Sequence, residues 1–413
     1  MDRLGWASAT LATGLLLINV SPAWAAPGAP AVPGEAAPPP AAAARTADLS
    51  PAESATCALR YLASEQAADG SVGGQAGVTA DFIFGAAAAG VDPTTLKKSG
   101  DSSAYEFLEA GAGATLSNAA TTAKDALAAL AGKLDPSAFG GHDLLSAIDA
   151  TYSSTSHAYG DGQTYTQSLA ILALAAAADS GHSLPTAALA ELISIQDTDG
   201  SWDFQGVKDA AGGGDTNSTA IAIQALVAAG TPASDGSITK GLAYLAGQQL
   251  SDGGFPYSDT YGPPFSDPDS DAIVVQGLVA AGENPAGPTW TKSGHTALSN
   301  ILTFQDARGG FVFPGNPGPD TFTTSQVPAG LAGIPFPGRT SWTAGATLPA
   351  DLCGAAVPAP TASHGSRATP PATTTAGLAT RGSTGGGLVP VVALAAVVGL
   401  VFGEQVRRGR RSR

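Results

Sequence analysis

Basic residues are scarce in this chain: 19 lysines and arginines stand against 34 acidic residues in 413, a formal net charge of −15. Five of the 19 are arginines in the last seven positions (Arg407, Arg408, Arg410, Arg411 and Arg413). Between Leu49 and Gly354 only 10 basic residues face 30 acidic ones, a balance of about −20. Such a surface repels a phosphate backbone, which excludes nucleic acids as partners. Cysteine is nearly absent too, with two in the whole chain, and the five histidines are scattered. A disulfide-rich mini-fold and a Cys₄ zinc site are therefore ruled out. No H-E-x-x-H, G-x-x-x-x-G-K-[ST] or G-x-S-x-G string occurs, so zincin, P-loop and serine-hydrolase chemistry lose their sequence support. Aromatic residues make up only 6%.

The two ends are built for export and tethering. Arg3, an apolar run from Leu11 to Val20 and then Ser21-Pro22-Ala23-Trp24-Ala25 follow the order of a secretory signal peptide, expected to span residues 1–25. Near the other end Leu388 to Phe402 is almost wholly apolar and precedes the arginine cluster. Residues 388–406 are read as a membrane anchor and 407–413 as a basic cytoplasmic tail, which puts the bulk of the chain outside the membrane. Leu378-Ala379-Thr380-Arg381-Gly382 resembles a sortase signal, but Arg381 stands where threonine is required, so anchoring by the helix is preferred to wall attachment. Residues 26–48, rich in Ala, Pro and Gly, and 355–387, rich in Pro, Thr, Ser and Gly, cannot bury enough apolar surface to fold and are linkers. Residues 49–354 remain as the domain that carries function.

Repetition dominates that domain. An apolar helical stretch followed by Gln-x-x-x-Gly occurs at Gln66–Gly70, Gln196–Gly200, Gln249–Gly253 and Gln305–Gly309, with Trp202, Phe255 and Phe311 shortly after the last three glycines. Phe139-Gly140-Gly141 is read as a degraded copy. Each unit continues with a polar cluster and an Ala-rich apolar helix closed by glycine: Thr79-Ala80-Asp81 into Phe82–Gly90, Tyr165–Ser168 into Leu169–Gly181, Asp215–Thr219 into Ala220–Gly230, and Asp267–Asp271 into Ala272–Gly282. The polar residues are natural N-caps, and the glycines suit helix C-termini. The second helices are apolar all round and must be buried, whereas the first carry one apolar stripe. The expected fold is all-α: two concentric rings, about five to six helix pairs, with the Ala-rich helices inside.

This pattern resembles the α/α-toroid superfamily of terpenoid cyclases, protein prenyltransferases and the cobalamin carriers transcobalamin and intrinsic factor. Tyr165-Thr166-Gln167-Ser168-Leu169-Ala170-Ile171-Leu172-Ala173-Leu174, Asp215-Thr216 opening a helix, and Ser270 through Gln276-Gly277-Leu278 are similar to segments of the carriers, although Asp271 replaces a threonine. The resemblance implies a ligand-binding protein that captures cobalamin or a related corrinoid for uptake, with Tyr165, Gln167, Asp215, Thr216, Ser270 and Gln276 as candidate contacts. It requires no other cofactor and implies no catalysis. The carriers close their site with a β-domain that this chain lacks, so a separate β-domain protein or an uptake transporter is the implied partner. The alternative is a terpene cyclase-like enzyme; the nearest string to the family's Asp-x-Asp-Asp acid is Asp267-Pro268-Asp269-Ser270, with Asp271 one position late. A toroid that binds another ligand or a protein is also open. Prenyltransferase chemistry needs an Asp/Cys/His zinc site, and both cysteines sit at the domain's edges.

Two local signals are weaker. Asp197-Thr198-Asp199-Gly200-Ser201-Trp202-Asp203 has the alternation of a calcium loop, and His157 is a candidate metal ligand. Finally, a toroid sets its first and last helices side by side, so Cys57 and Cys353 are expected to form a disulfide despite the 296 positions between them.

Overall fold

The computed structural model describes residues 49–178, 181–210, 213–259, 264–336, 342–349 and 353. The expected leader 1–25, linkers, anchor 388–406 and tail lie outside these residues. Among the described residues no helix is long and apolar enough to cross a membrane.

Among the described residues twelve α-helices alternate between two rings. The outer ring holds α1 (Pro51–Glu65), α3 (Ala104–Thr115), α5 (Leu144–Ala150), α7 (Thr186–Ser194), α9 (Gly236–Gln248) and α11 (Ala297–Thr303). The inner ring holds α2 (Ala76–Ala88), α4 (Ala119–Ala131), α6 (Thr164–Ala176), α8 (Thr216–Ala228), α10 (Pro268–Ala280) and α12 (Thr321–Leu331). Each inner helix packs on the next, and α12 packs on α2, which closes the ring. The inner helices are buried on nearly every side. Their small residues let backbones approach: a Cβ on Gly277 would stand 3.1 Å from the Ala220 Cα, and one on Gly330 would stand 2.6 Å from the Ala272 Cα.

Most inner helices end in one way. In α2, α8, α10 and α12 a glycine follows the cap (Gly90, Gly230, Gly282, Gly333), and the next residue donates back to the third-last helical carbonyl, as Ile334 does to Ala329 at 3.0 Å. This is the Schellman arrangement, whose left-handed residue glycine adopts without cost. Of the closing glycines expected from the sequence, Gly90, Gly230 and Gly282 have this role, whereas α6 ends at Ala176, short of Gly181. In α4 Lys133 takes that place at φ 58°, and its ammonium lies 3.7 Å over the Trp342 ring.

The repeated glutamine joins one outer helix to the next. Its side-chain Nε2 donates to the carbonyl of its own turn's glycine and to a carbonyl at the start of the following outer element. Gln196 reaches Gly200 and Ser237 at 2.8 Å each. Gln66 pairs with Gly70 and Leu96, and Gln249 with Gly253 and Trp290. Gln305 pairs with Gly309 at 2.8 Å and Ser54 at 2.9 Å, linking the last unit back to the first. The glycine is required as well: Gly200 has φ 94°, and a Cβ there would sit 2.5 Å from the Lys240 carbonyl oxygen.

Two expectations are corrected. Phe139-Gly140-Gly141 is not a copy of this turn; it lies between inner α4 and outer α5. The described residues form six helix pairs, within the number expected. The second pair turns through Leu116–Asn118 without a glutamine, and the third turns through a two-stranded hairpin, β1 (Tyr152–Ser153) with β2 (Ala158–Tyr159). Helices α2 and α6 begin earlier than their polar clusters suggest, so Thr79 and Gln167 are fourth-position residues and not caps. At that position the side chain accepts a backbone N–H from the preceding turn: Thr79 from Val72, Gln167 from Tyr159, Thr219 from Trp202, Asp271 from Phe255 and Thr324 from Phe311.

After α12 the chain crosses the end of the ring where the inner helices terminate. Phe336 inserts toward the axis, Trp342 Nε1 donates to the Ala131 carbonyl at 2.8 Å, and Gly345 N–H reaches Asp92 at 2.7 Å. Cys353 then bonds to Cys57 of α1, the expected disulfide.

Gln167 does for the third pair what the repeat glutamine does elsewhere, since its Nε2 donates to Ala188 of α7 at 2.9 Å. Gln196→Leu and Gln167→Leu are therefore both expected to lower unfolding free energy by about 1–3 kcal/mol for each buried carbonyl left unpaired. Urea denaturation of the two variants measures this; an unchanged midpoint for Gln167→Leu would remove it from the clasp. Reduction of Cys57–Cys353 is expected to cost about 2–5 kcal/mol in the same assay.

Candidate functional site

All inner helices point their N-termini toward one end of the ring, because each is separated from the next by one antiparallel outer helix. Positions two, six and nine of a helix share a face, and on the inner ring that face meets the axis. Asp269, Ile273 and Gln276 occupy these positions in α10, with Asp81 and Phe84 in α2, Tyr165 in α6, and Gln326 and Ala329 in α12; all line one axial cavity. Phe336 closes its far end and meets Phe84 edge to face at 4.9 Å between centroids. The enclosed space is about 20 Å³, room for about one water molecule.

The cavity contains two carboxyl groups in unlike surroundings. Asp81 pairs with Lys124 of α4 at 2.8 Å. Burial pushes the Asp81 carboxyl up, and the ammonium opposes it. Burial alone would lower Lys124, but Asp81 draws it up above its ordinary value, so the cation is retained. Asp269 has no cation. Burial, then the nearby Asp267, Asp320 and Asp81 charges, raise its carboxyl well above the ordinary 3.8, with only a hydrogen bond from Thr323 opposing. Its Oδ1 is buried without a hydrogen-bond partner. Burial and like charge thus push Asp269 toward its neutral form, and Asp81 is its ion-paired neighbour.

The acidic string around Asp269 divides by helix position. Asp267 caps α10, accepting from Ser270 N–H at 2.8 Å. Asp271 is buried at position four, accepting from Phe255 N–H and from Asn300 at 2.8 Å. Only Asp269 faces the axis.

Of the six contacts expected from the sequence, Tyr165 and Gln276 line the cavity. The other four lie elsewhere and have structural partners. Gln167 joins Tyr159 to Ala188. Asp215 caps α8 through Ser218 N–H at 2.7 Å. Thr216 donates to the Pro256 carbonyl at 2.8 Å, and Ser270 donates to Asp267 at 2.9 Å. His157 is exposed in the β1–β2 turn, with Nδ1 3.4 Å from the Tyr152 hydroxyl. In the calcium-like loop Asp197 and Asp199 accept from Ser201. Among the described residues no three His, Cys, Asp or Glu side chains converge to hold a metal. Asp269 appeared in the sequence only within the acid string of the cyclase alternative, and Asp81, Phe84, Lys124 and Phe336 did not emerge as site residues. The two-six-nine stripe on each Ala-rich helix was the signal available for all but Phe336.

No known family and no curated protein matches the sequence. Among solved structures the chain is similar to ent-copalyl diphosphate synthase from Streptomyces platensis, at 18% identity and a TM-score of 0.44 over 62% of this chain and 49% of that one. It thus spans about half of that enzyme's length. It is also similar to the type II terpene cyclase MstE from Scytonema (15% identity, TM-score 0.47, 68% of this chain and 97% of that one). A glycosidase variant matches at 15% identity and a TM-score of 0.43 over 71% of this chain and 98% of that one.

The state of Asp269 has a measurable consequence. A carboxyl raised in the folded protein stabilises the fold fully below its unfolded value, 3.8, and that stabilisation is lost as pH rises through the folded value. Asp215, pushed by burial to about 7, acts with the same sign. Wild-type stability should therefore fall as pH rises from about 4 to 7, and Asp269→Asn should fall less. Chemical denaturation at a series of pH values decides; parallel curves would mean that Asp269 is ionised in the native state.

Proposed function

We propose that this chain is an exported, surface-tethered α/α toroid whose Asp269 carboxyl donates a proton to an apolar ligand in the axial cavity, as in class II terpene cyclases. The reading rests on one observation: a buried carboxyl with an unpartnered oxygen at the axis of the ring, in a cavity that apolar and polar side chains line about equally. Protonating an alkene requires a neutral acid, and water beside it would compete for the proton. Asp267 and Asp271 are committed to holding α10 and its turn, which leaves Asp269 as the donor. The proton would pass from its carboxyl to an alkene carbon, leaving a carboxylate and a carbocation. Phe84, Phe336 and Tyr165 around the cavity offer ring faces that stabilise such a cation. Lys124 keeps Asp81 ionised, and the negative charge of Asp81 helps keep the Asp269 proton in place.

Export and tethering rest on the leader and anchor patterns. The Cys57–Cys353 bridge supports them, since such bonds persist in oxidising compartments. Corrinoid capture, with a β-domain protein or uptake transporter as partner, is the reading in which Tyr165 and Gln276 bind without chemistry.

The test incubates the full chain in detergent with squalene, geranylgeraniol or geranylgeranyl diphosphate and analyses extracts for cyclic products. Product from wild type, reduced about 10²–10⁴-fold in Asp269→Asn, is the expected result. Equal activity in the variant overturns the assignment of the acid. Absence of any product together with visible absorbance co-eluting after addition of cobalamin replaces the enzyme reading by the corrinoid one.

A further inference from the structure

Phe336 reaches the axis on a segment that the ring grips by its backbone. Gln276 Nε2 donates to the Ile334 carbonyl at 2.8 Å, and Gln224 Oε1 accepts the Phe336 N–H at 3.0 Å. Both glutamines occupy position nine of their helices, in the half of the ring remote from Asp269. A glutamine on an inner helix is costly to bury for packing alone, and Gln224 is 1% exposed with its Nε2 unpartnered. Two buried amides directed at the axis, one with spare donor capacity, form a recognition pair that the strap satisfies in part. Phe336 itself fills apolar space against Phe84.

We propose that the far half of the lumen is a ligand site filled in cis: Ile334-Pro335-Phe336 stands in for an elongated apolar ligand ending in a neutral hydrogen-bonding head, and such a ligand displaces it. The head would take the Gln276 donor and the Gln224 amide, and the body would run along Phe84 and Ile273 toward Asp269. Charge selects against an anionic head. Among the described residues the one cation at the axis, Lys124, is already paired with Asp81, and the glutamines lie toward the helix C-termini, the negative ends of the helix dipoles. A diphosphate would lose its hydration with no unpaired cation among the described residues of the axis to replace it. This proposal deepens the acid-site reading by naming its ligand class, yet its test reads binding alone and is independent of proton transfer.

The experiment measures retention of radiolabelled farnesol and farnesyl diphosphate, which share one hydrocarbon chain, by the full-length protein. Phe336→Ala should bind farnesol at least tenfold more tightly than wild type does, and farnesyl diphosphate at least tenfold more weakly than farnesol. Filling the space again with Ala329→Trp in the same variant should abolish the gain, whereas Asp269→Asn should not affect it. Phe336→Leu, which removes less volume, should show a smaller gain and serves where the alanine variant does not fold. No gain in either Phe336 variant, a gain that survives Ala329→Trp, or equal binding of the diphosphate would each overturn the proposal.

Discussion

A single side-chain amide, repeated, holds the outer ring together. Gln66, Gln196, Gln249 and Gln305 each use both Nε2 hydrogens on buried carbonyls, one in their own turn and one at the start of the next outer element. Buried carbonyls without donors are expensive. The amide supplies two donors from one residue and so couples closing a turn to docking its neighbour. Where the glutamine is missing, in the third pair, Gln167 takes over from an inner helix.

The clasp sets the outer ring, and small residues set the inner one. Gly277 against Ala220 and Gly330 against Ala272 leave no room for a side chain between adjacent inner helices, so the ring is tight and its lumen narrow. A narrow lumen removes water from whatever faces it. Burial, together with the neighbouring carboxylates, then pushes Asp269 toward its neutral form, while Asp81 has Lys124 beside it. The chemistry at the axis thus depends on backbone approach at glycines that never touch the cavity.

Much of the fold was legible because it is periodic. Gln-x-x-x-Gly turns, closing glycines and the lone cysteine pair each correspond to one structural role, found where the sequence placed it. The site was less legible. Asp267, Asp269 and Asp271 look alike in a string but occupy cap, second and fourth positions, and only helix register tells that the middle one faces the axis. Gln167 and Asp215 carry the polar chemistry expected of ligand contacts, and backbone groups consume it. Phe336 sits in a Gly- and Pro-rich stretch without periodicity, so its place at the axis follows from tertiary contacts alone. The same holds for Lys133, which takes a left-handed backbone where other helices use glycine and sets its ammonium over Trp342.

The disulfide brings Cys57 and Cys353 to 5.4 Å between Cα atoms, and Gln305 bonds to Ser54 across the same junction. First and last pairs are therefore neighbours in the sense that any two consecutive pairs are. The last unit docks on the first through the same glutamine contact that joins the others, so the ring closes by its own repeat, and the disulfide adds a covalent tie at that junction.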